Sequence, residues 1–120
     1  MAKCRDNAMP NLIHEKCVAC NASSPKATNY EIAVLRILVP NWHILDENSV
    51  PKLVRAFRFP DFATALIFAD KICIISEAEW HHPMIVIEWG KVTVSWWTYA
   101  IAGLHRNDFI MAAKTEALYS

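Results

Sequence analysis

Two glycines in 120 residues leave no room for a glycine-rich phosphate loop, and none is present. Nor does the chain carry the G-x-S-x-G turn of a serine hydrolase or an H-E-x-x-H zinc helix. It also lacks an excess of either charge: 12 Lys and Arg balance 12 Asp and Glu. A nucleic-acid binder normally shows a basic surplus, so no nucleic-acid partner is expected. No apolar run is long enough to span a bilayer, because Arg36, Asp70 and Lys71 interrupt the richest stretches. The first eleven residues contain Lys3, Arg5 and Asp6 and no apolar core, unlike a secretory signal. These absences together point to a cytoplasmic protein with reduced thiols and no membrane partner.

What the chain does have is apolar residues, at 54%, with 11% aromatics. That excludes intrinsic disorder. One domain of this size has much surface for its volume, so part of the apolar content is expected at a subunit or partner interface.

Local signals divide the chain into an N-terminal extension, residues 1–27, and a folded domain, residues 28–120. The extension is polar, contains Pro10 and Pro25, and reads as loosely packed. Thr28-x-x-Glu31 spells a capping box, followed by Ile32, Leu35 and Val39 at helical spacing until Pro40. Trp42–Leu45 is a short apolar segment before an acidic turn at Asp46-Glu47-Asn48. Lys52–Phe59 reads as a strand with Leu53, Phe57 and Phe59 on one face. Asp61 is placed to cap a long helix whose core stripe is Phe62, Ala65, Leu66, Ala69, Ile72 and Cys73, fading at Ser76. Met84–Trp89 and Lys91 to about Thr98 then form a hairpin around Gly90, with Val92, Val94 and Trp96 inward. Gly103 precedes a last helix from Asn107 to about Leu118. The order predicts an α+β fold: a four-stranded antiparallel sheet with helices packed on one face.

Counting outward from Gly90 brings the level of His81 and His82 opposite Thr98, Tyr99 and Ala100. Asp108 falls in the first turn of the last helix. Two histidines, a tyrosine and a carboxylate therefore converge at one end of the sheet. Taken singly, each has a structural account: a polar helix end, a strand end, a favourable charge at a helix N-terminus. The four cysteines offer a weaker pattern. Cys4, His14, Cys17 and Cys20 are the candidate zinc ligands, weighed against a reduced, partly exposed segment.

Glu77-x-x-x-His81-His82-Pro83, then Trp89, position 99 and Asp108, at these spacings, resemble the signature of the pterin-4a-carbinolamine dehydratase family. Trp42, Phe57, Phe59, Asp61, Phe62 and Gly103-Leu104 agree with it, over roughly residues 28–118. The resemblance implies homodimers or dimers of dimers, a pterin ligand, and dehydration of 4a-hydroxytetrahydrobiopterin with no metal and no cofactor. It implies a catalytic set of His81, His82, Tyr99 and Asp108, with Glu77, His82, Pro83 and Trp89 holding substrate. Position 99 departs from the family: active members carry His, and this chain carries Tyr. Imidazole, with a pKa near ~6.5, exchanges protons at neutral pH, whereas a phenol near ~10 stays neutral. The resemblance thus extends to a degenerate branch of Rubisco assembly factors found with carboxysomes, with the Rubisco large subunit as the implied partner. The alternative is an active dehydratase in tetrahydrobiopterin recycling.

Overall fold

A computed structural model describes residues 11–119. At Thr28 both halves of the capping box form: Glu31 N–H donates to Thr28 Oγ1 at 3.1 Å and Thr28 N–H to Glu31 Oε1 at 2.7 Å. The helix α1 spans Asn29–Leu35 and tightens into a 3-10 turn over Arg36–Leu38. It ends earlier than the apolar spacing suggests because Val39 precedes a proline and takes φ −131° and ψ 65°.

Strands β1 (His43–Glu47) and β2 (Val50–Arg58) form a hairpin. Its turn is Asn48–Ser49, with φ of 53° and 67°, the mirror-image geometry that matches strand twist. Asp46 and Glu47, expected in the turn, finish β1 instead. Helix α2 (Phe62–Glu79) starts where Asp61 Oδ1 accepts from Thr64 N–H at 2.8 Å. Strands β3 (Met84–Glu88) and β4 (Lys91–Trp96) and helix α3 (Arg106–Ala117) complete the domain.

The sheet order is β1-β2-β4-β3, antiparallel throughout. Leu53, Phe57, Val92, Val94 and Trp96 are fully buried on one face, under α2 and α3. Each such side chain contributes about 1.5–3 kcal/mol by leaving water. Trp96 Nε1–H donates to Thr115 Oγ1 at 3.1 Å, and Trp42 Nε1–H to Glu116 Oε1 at 3.0 Å, so neither indole N–H is stranded.

Helix α2 presents a different stripe from the expected one. Ala65, Phe68, Ala69, Ile72 and Ser76 are buried, whereas Phe62, Leu66 and Cys73 are exposed. Apolar residues lie on several sides of this helix, so spacing alone fits more than one stripe. Phe68 decides the matter by joining Phe57 at 4.8 Å and Phe59 at 5.0 Å between ring centroids. Ser76 is tolerated inside because its hydroxyl donates to Ile72 O at 2.7 Å.

Gly90 closes the β3–β4 turn with φ +75°, and a Cβ there would stand 3.1 Å from Phe59 O. Gly90→Ala is therefore expected to lower stability by about 1–2 kcal/mol, measured by urea unfolding. An unchanged midpoint would mean the turn relaxes freely.

Candidate functional site

Three local structures meet at one end of the sheet. First, α2 ends on Trp80, which adopts the left-handed conformation at φ 53° and ψ 44° and redirects the chain. His81 N–H closes back onto Ser76 O at 3.2 Å. Second, the β3–β4 ladder pairs Met84 with Ser95, so its continuation sets His81 level with Thr98. Third, Thr98 bridges Gly103, folding Tyr99–Ile101 into a 3-10 turn that leads into α3.

Asp108 is the hub. It is 0% exposed and accepts three hydrogen bonds. His81 Nε2 lies 2.7 Å from Oδ1, while Oδ2 accepts from Thr98 Oγ1 at 2.8 Å and from His105 N–H at 2.9 Å. A carboxylate only accepts, so it fixes the His81 proton on Nε2 and leaves Nδ1 as the basic nitrogen. The His81 ring also stacks on Trp96, 5.7 Å between centroids and 8° from parallel. It therefore has one orientation and one tautomer.

His82 is not part of that pair. Its Nε2 meets Glu77 Oε2 at 2.6 Å, and Trp80 stands edge-on to its ring at 5.1 Å. Tyr99 is 71% exposed, with its ring against Trp97 at 4.7 Å. His81, His82 and Tyr99 line one cleft of about 370 Å³, and Asp108 supports it from behind. Glu77 and Pro83 lie just outside the lining. Trp89 is 73% exposed at the opposite end of β3, so within one chain it does not reach the cleft. A larger hollow, about 430 Å³, lies beside α1 and Arg106 and contains neither His81 nor Asp108.

The cleft has a wall the sequence did not announce. Residues 17–20 lie along it. The N-terminal segment, expected to be loosely packed, is held at successive points. Leu12 is buried in the core, Lys114 Nζ donates to Ile13 O at 2.7 Å, and Arg106 grips Glu15 with two bonds of 2.7 and 2.8 Å. Cys17 N–H donates to Glu79 Oε1 at 2.8 Å. Asn107 then holds Val18 on both sides: Oδ1 accepts from Val18 N–H at 3.0 Å and Nδ2–H donates to Val18 O at 2.7 Å. Asn in the first helical turn was the one signal of this, but nothing in its spacing names its partner.

Burial pushes the Cys17 thiol up to about 12, with the Glu79 and Asp108 charges adding to it. Burial, then Asp108, also raises Cys20. Both are protonated at neutral pH and are poor nucleophiles. Cys4 lies outside the described residues, and His14 is exposed. Among the described residues no three His, Cys, Asp or Glu side chains gather as metal ligands, and no helix is long and apolar enough to cross a membrane.

A folded-state thiol pKa above the unfolded one has a sign. The protein keeps its full stability from Cys17 below about pH 9 and loses it as pH rises toward 12. Iodoacetamide at pH 8 is thus expected to modify exposed Cys73 at least tenfold faster than Cys17. Site-resolved mass spectrometry measures both, and equal rates would show that residues 17–20 are not held against the cleft.

Comparison with known proteins fits this geometry. The model of the family "Pterin 4 alpha carbinolamine dehydratase" matches residues 25–118. A Gloeobacter violaceus protein named "Putative pterin-4-alpha-carbinolamine dehydratase 1" is 49% identical over 108 residues, 90% of this chain and 93% of that one. The crystal structure of a transcriptional coactivator/pterin dehydratase from Brucella melitensis superposes with a TM-score of 0.72 at 25% identity, over 80% of this chain and all of the other. A pterin dehydratase-like protein, described as a RuBisCO assembly factor in the alpha-carboxysome, shares the fold at a TM-score of 0.56 and 24% identity, over 67% and 93% of the two chains. The matched region holds His81, Asp108 and the sheet that positions them, and the chain belongs to the pterin-4a-carbinolamine dehydratase family.

Proposed function

We propose that this protein keeps the ligand cleft of its family, is impaired or inactive as a dehydratase, and acts as an assembly factor for Rubisco in a carboxysome-forming cell. The observation that carries the first part is the exposed phenol of Tyr99, which lines the cleft together with His81. Dehydration needs one group to protonate the departing hydroxyl and another to take the N5 proton. His81, set by Asp108, supplies one of them.

Of the other described lining groups, only His82 offers an imidazole. Cys17 and Cys20 hold their protons too firmly. The Cys17 N–H keeps the Glu79 carboxyl below the usual range, so it is a weak base. His82 is tied to Glu77 as His81 is to Asp108, and the Tyr99→His comparison measures whether it suffices. The second part of the proposal rests on the likeness to a protein described as a RuBisCO assembly factor. Exposed Leu66, Ile74, Trp80 and Trp89 supply apolar surface for protein contacts, including self-association as a dimer or dimer of dimers.

Two measurements on the full chain test this. Purified protein is expected to turn over 4a-hydroxytetrahydrobiopterin far below an active dehydratase, and to retain the Rubisco large subunit in a pull-down in which an unrelated bait does not. Ordinary turnover refutes the first part and makes the chain an active dehydratase, the alternative reading, with the His81–Asp108 pair in its site. Failure to retain the large subunit refutes the second.

A further inference from the structure

The segment of residues 17–20, the strap along the cleft, belongs to no helix or strand, and it is nevertheless tied down by side chains of the folded domain. Its anchors come from two different helices: Glu79 at the end of α2 and Asn107 at the start of α3. Asn107 is 2% exposed and spends its whole amide on this segment. Besides the two bonds to Val18, its Nδ2 lies 3.3 Å from Cys20 Sγ, and its carbonyl accepts from Cys17 Sγ at 3.9 Å. Both cysteines are thus aligned on one residue, which neighbours Asp108 in the chain. The helix turn that presents the carboxylate to His81 also places the opposite wall.

We propose that residues 17–20 are a ligand-contacting wall of the cleft and that Asn107 is the positioning residue that sets its distance from His81. A flat bicyclic ring, entering between Trp80–His82 and Trp97–Ala100, meets the strap on its remaining side. The neutral thiols give that wall a soft, uncharged surface suited to a pterin ring rather than to a charged group. The pterin identity rests on the family reading above. The placement of the strap by Asn107 does not.

The experiment follows alkylation of Cys17 and Cys20 by iodoacetamide, resolved by peptide mass spectrometry, with exposed Cys73 as internal control. In the parent, saturating 7,8-dihydrobiopterin is expected to slow Cys17 and Cys20 about tenfold and leave Cys73 unchanged, since exposure of a docked segment follows its opening equilibrium. In Asn107→Ala without ligand, both rates are expected to rise about tenfold, because two backbone hydrogen bonds are lost. Dihydrobiopterin affinity should weaken by a similar factor. Asn107→Ser keeps a small hydroxyl that can still donate or accept and is expected to fall between the two, which covers the case in which the alanine variant fails to fold.

If pterin binds, by fluorescence titration, and neither cysteine is protected, the wall does not touch the ligand and the proposal is wrong. If the parent binds no pterin at all, the ligand reading fails, and the ligand-free arm decides the rest. Unchanged Cys17 and Cys20 rates in a folded Asn107 variant would overturn the positioning role.

Discussion

Tyr99→His is expected to raise dehydratase turnover on the order of 10²–10⁴-fold over the parent, the usual worth of one acid–base group. The position is favourable for this. Tyr99 is 71% exposed on the cleft rim, so the exchange gives up only its contact with Trp97. The gained activity should follow a pH profile with an inflection near ~6.5, where imidazole titrates. A progress curve with 4a-hydroxytetrahydrobiopterin reads both. If the parent and variant are equally slow, the limitation lies in how the cleft holds substrate, and the phenol is not the reason.

Asp108→Asn is expected to lower stability by about 3 kcal/mol and to abolish the activity gained by the histidine variant. The carboxylate satisfies His81, Thr98 and the His105 backbone at once while fully excluded from water. An amide has one acceptor oxygen and two donors, so it cannot receive all three bonds. For a domain of this size the melting temperature should drop by roughly 10–20 °C. Thr98→Val, which removes only one donor, should cost about 1 kcal/mol. Equal effects of the two variants would show that Asp108 does not organise the loops around it. Loss of gained turnover with the fold intact would place the effect on the His81 tautomer.

The legible parts of this protein are those encoded by neighbouring residues. The Thr28 and Glu31 pair, the Asp61 cap and the Gly90 turn are written within a few positions of one another, and each forms as spelled. The meeting of His81 with Asp108 was also accessible, because a hairpin fixes register by counting from its turn. What resisted reading was long-range. Val18 and Asn107 lie 89 positions apart, and an asparagine amide accepts many partners. The burial of α2 resisted for another reason: its apolar residues surround the helix, so the sheet, not the spacing, selects Phe68 over Leu66. Trp89 belongs to the family motif, yet its place beyond β3 is a matter of three-dimensional path that motif spacing does not convey.

The left-handed cap at Trp80 sets up a conflict for anyone selecting variants for heat tolerance. A tryptophan in that conformation costs about 1 kcal/mol or more relative to glycine. Trp80→Gly should therefore raise the melting temperature, and screens ranked on thermal survival should enrich it. The same exchange strips the indole from the side of His82, so the hardiest clones are expected to be those with the least capable cleft.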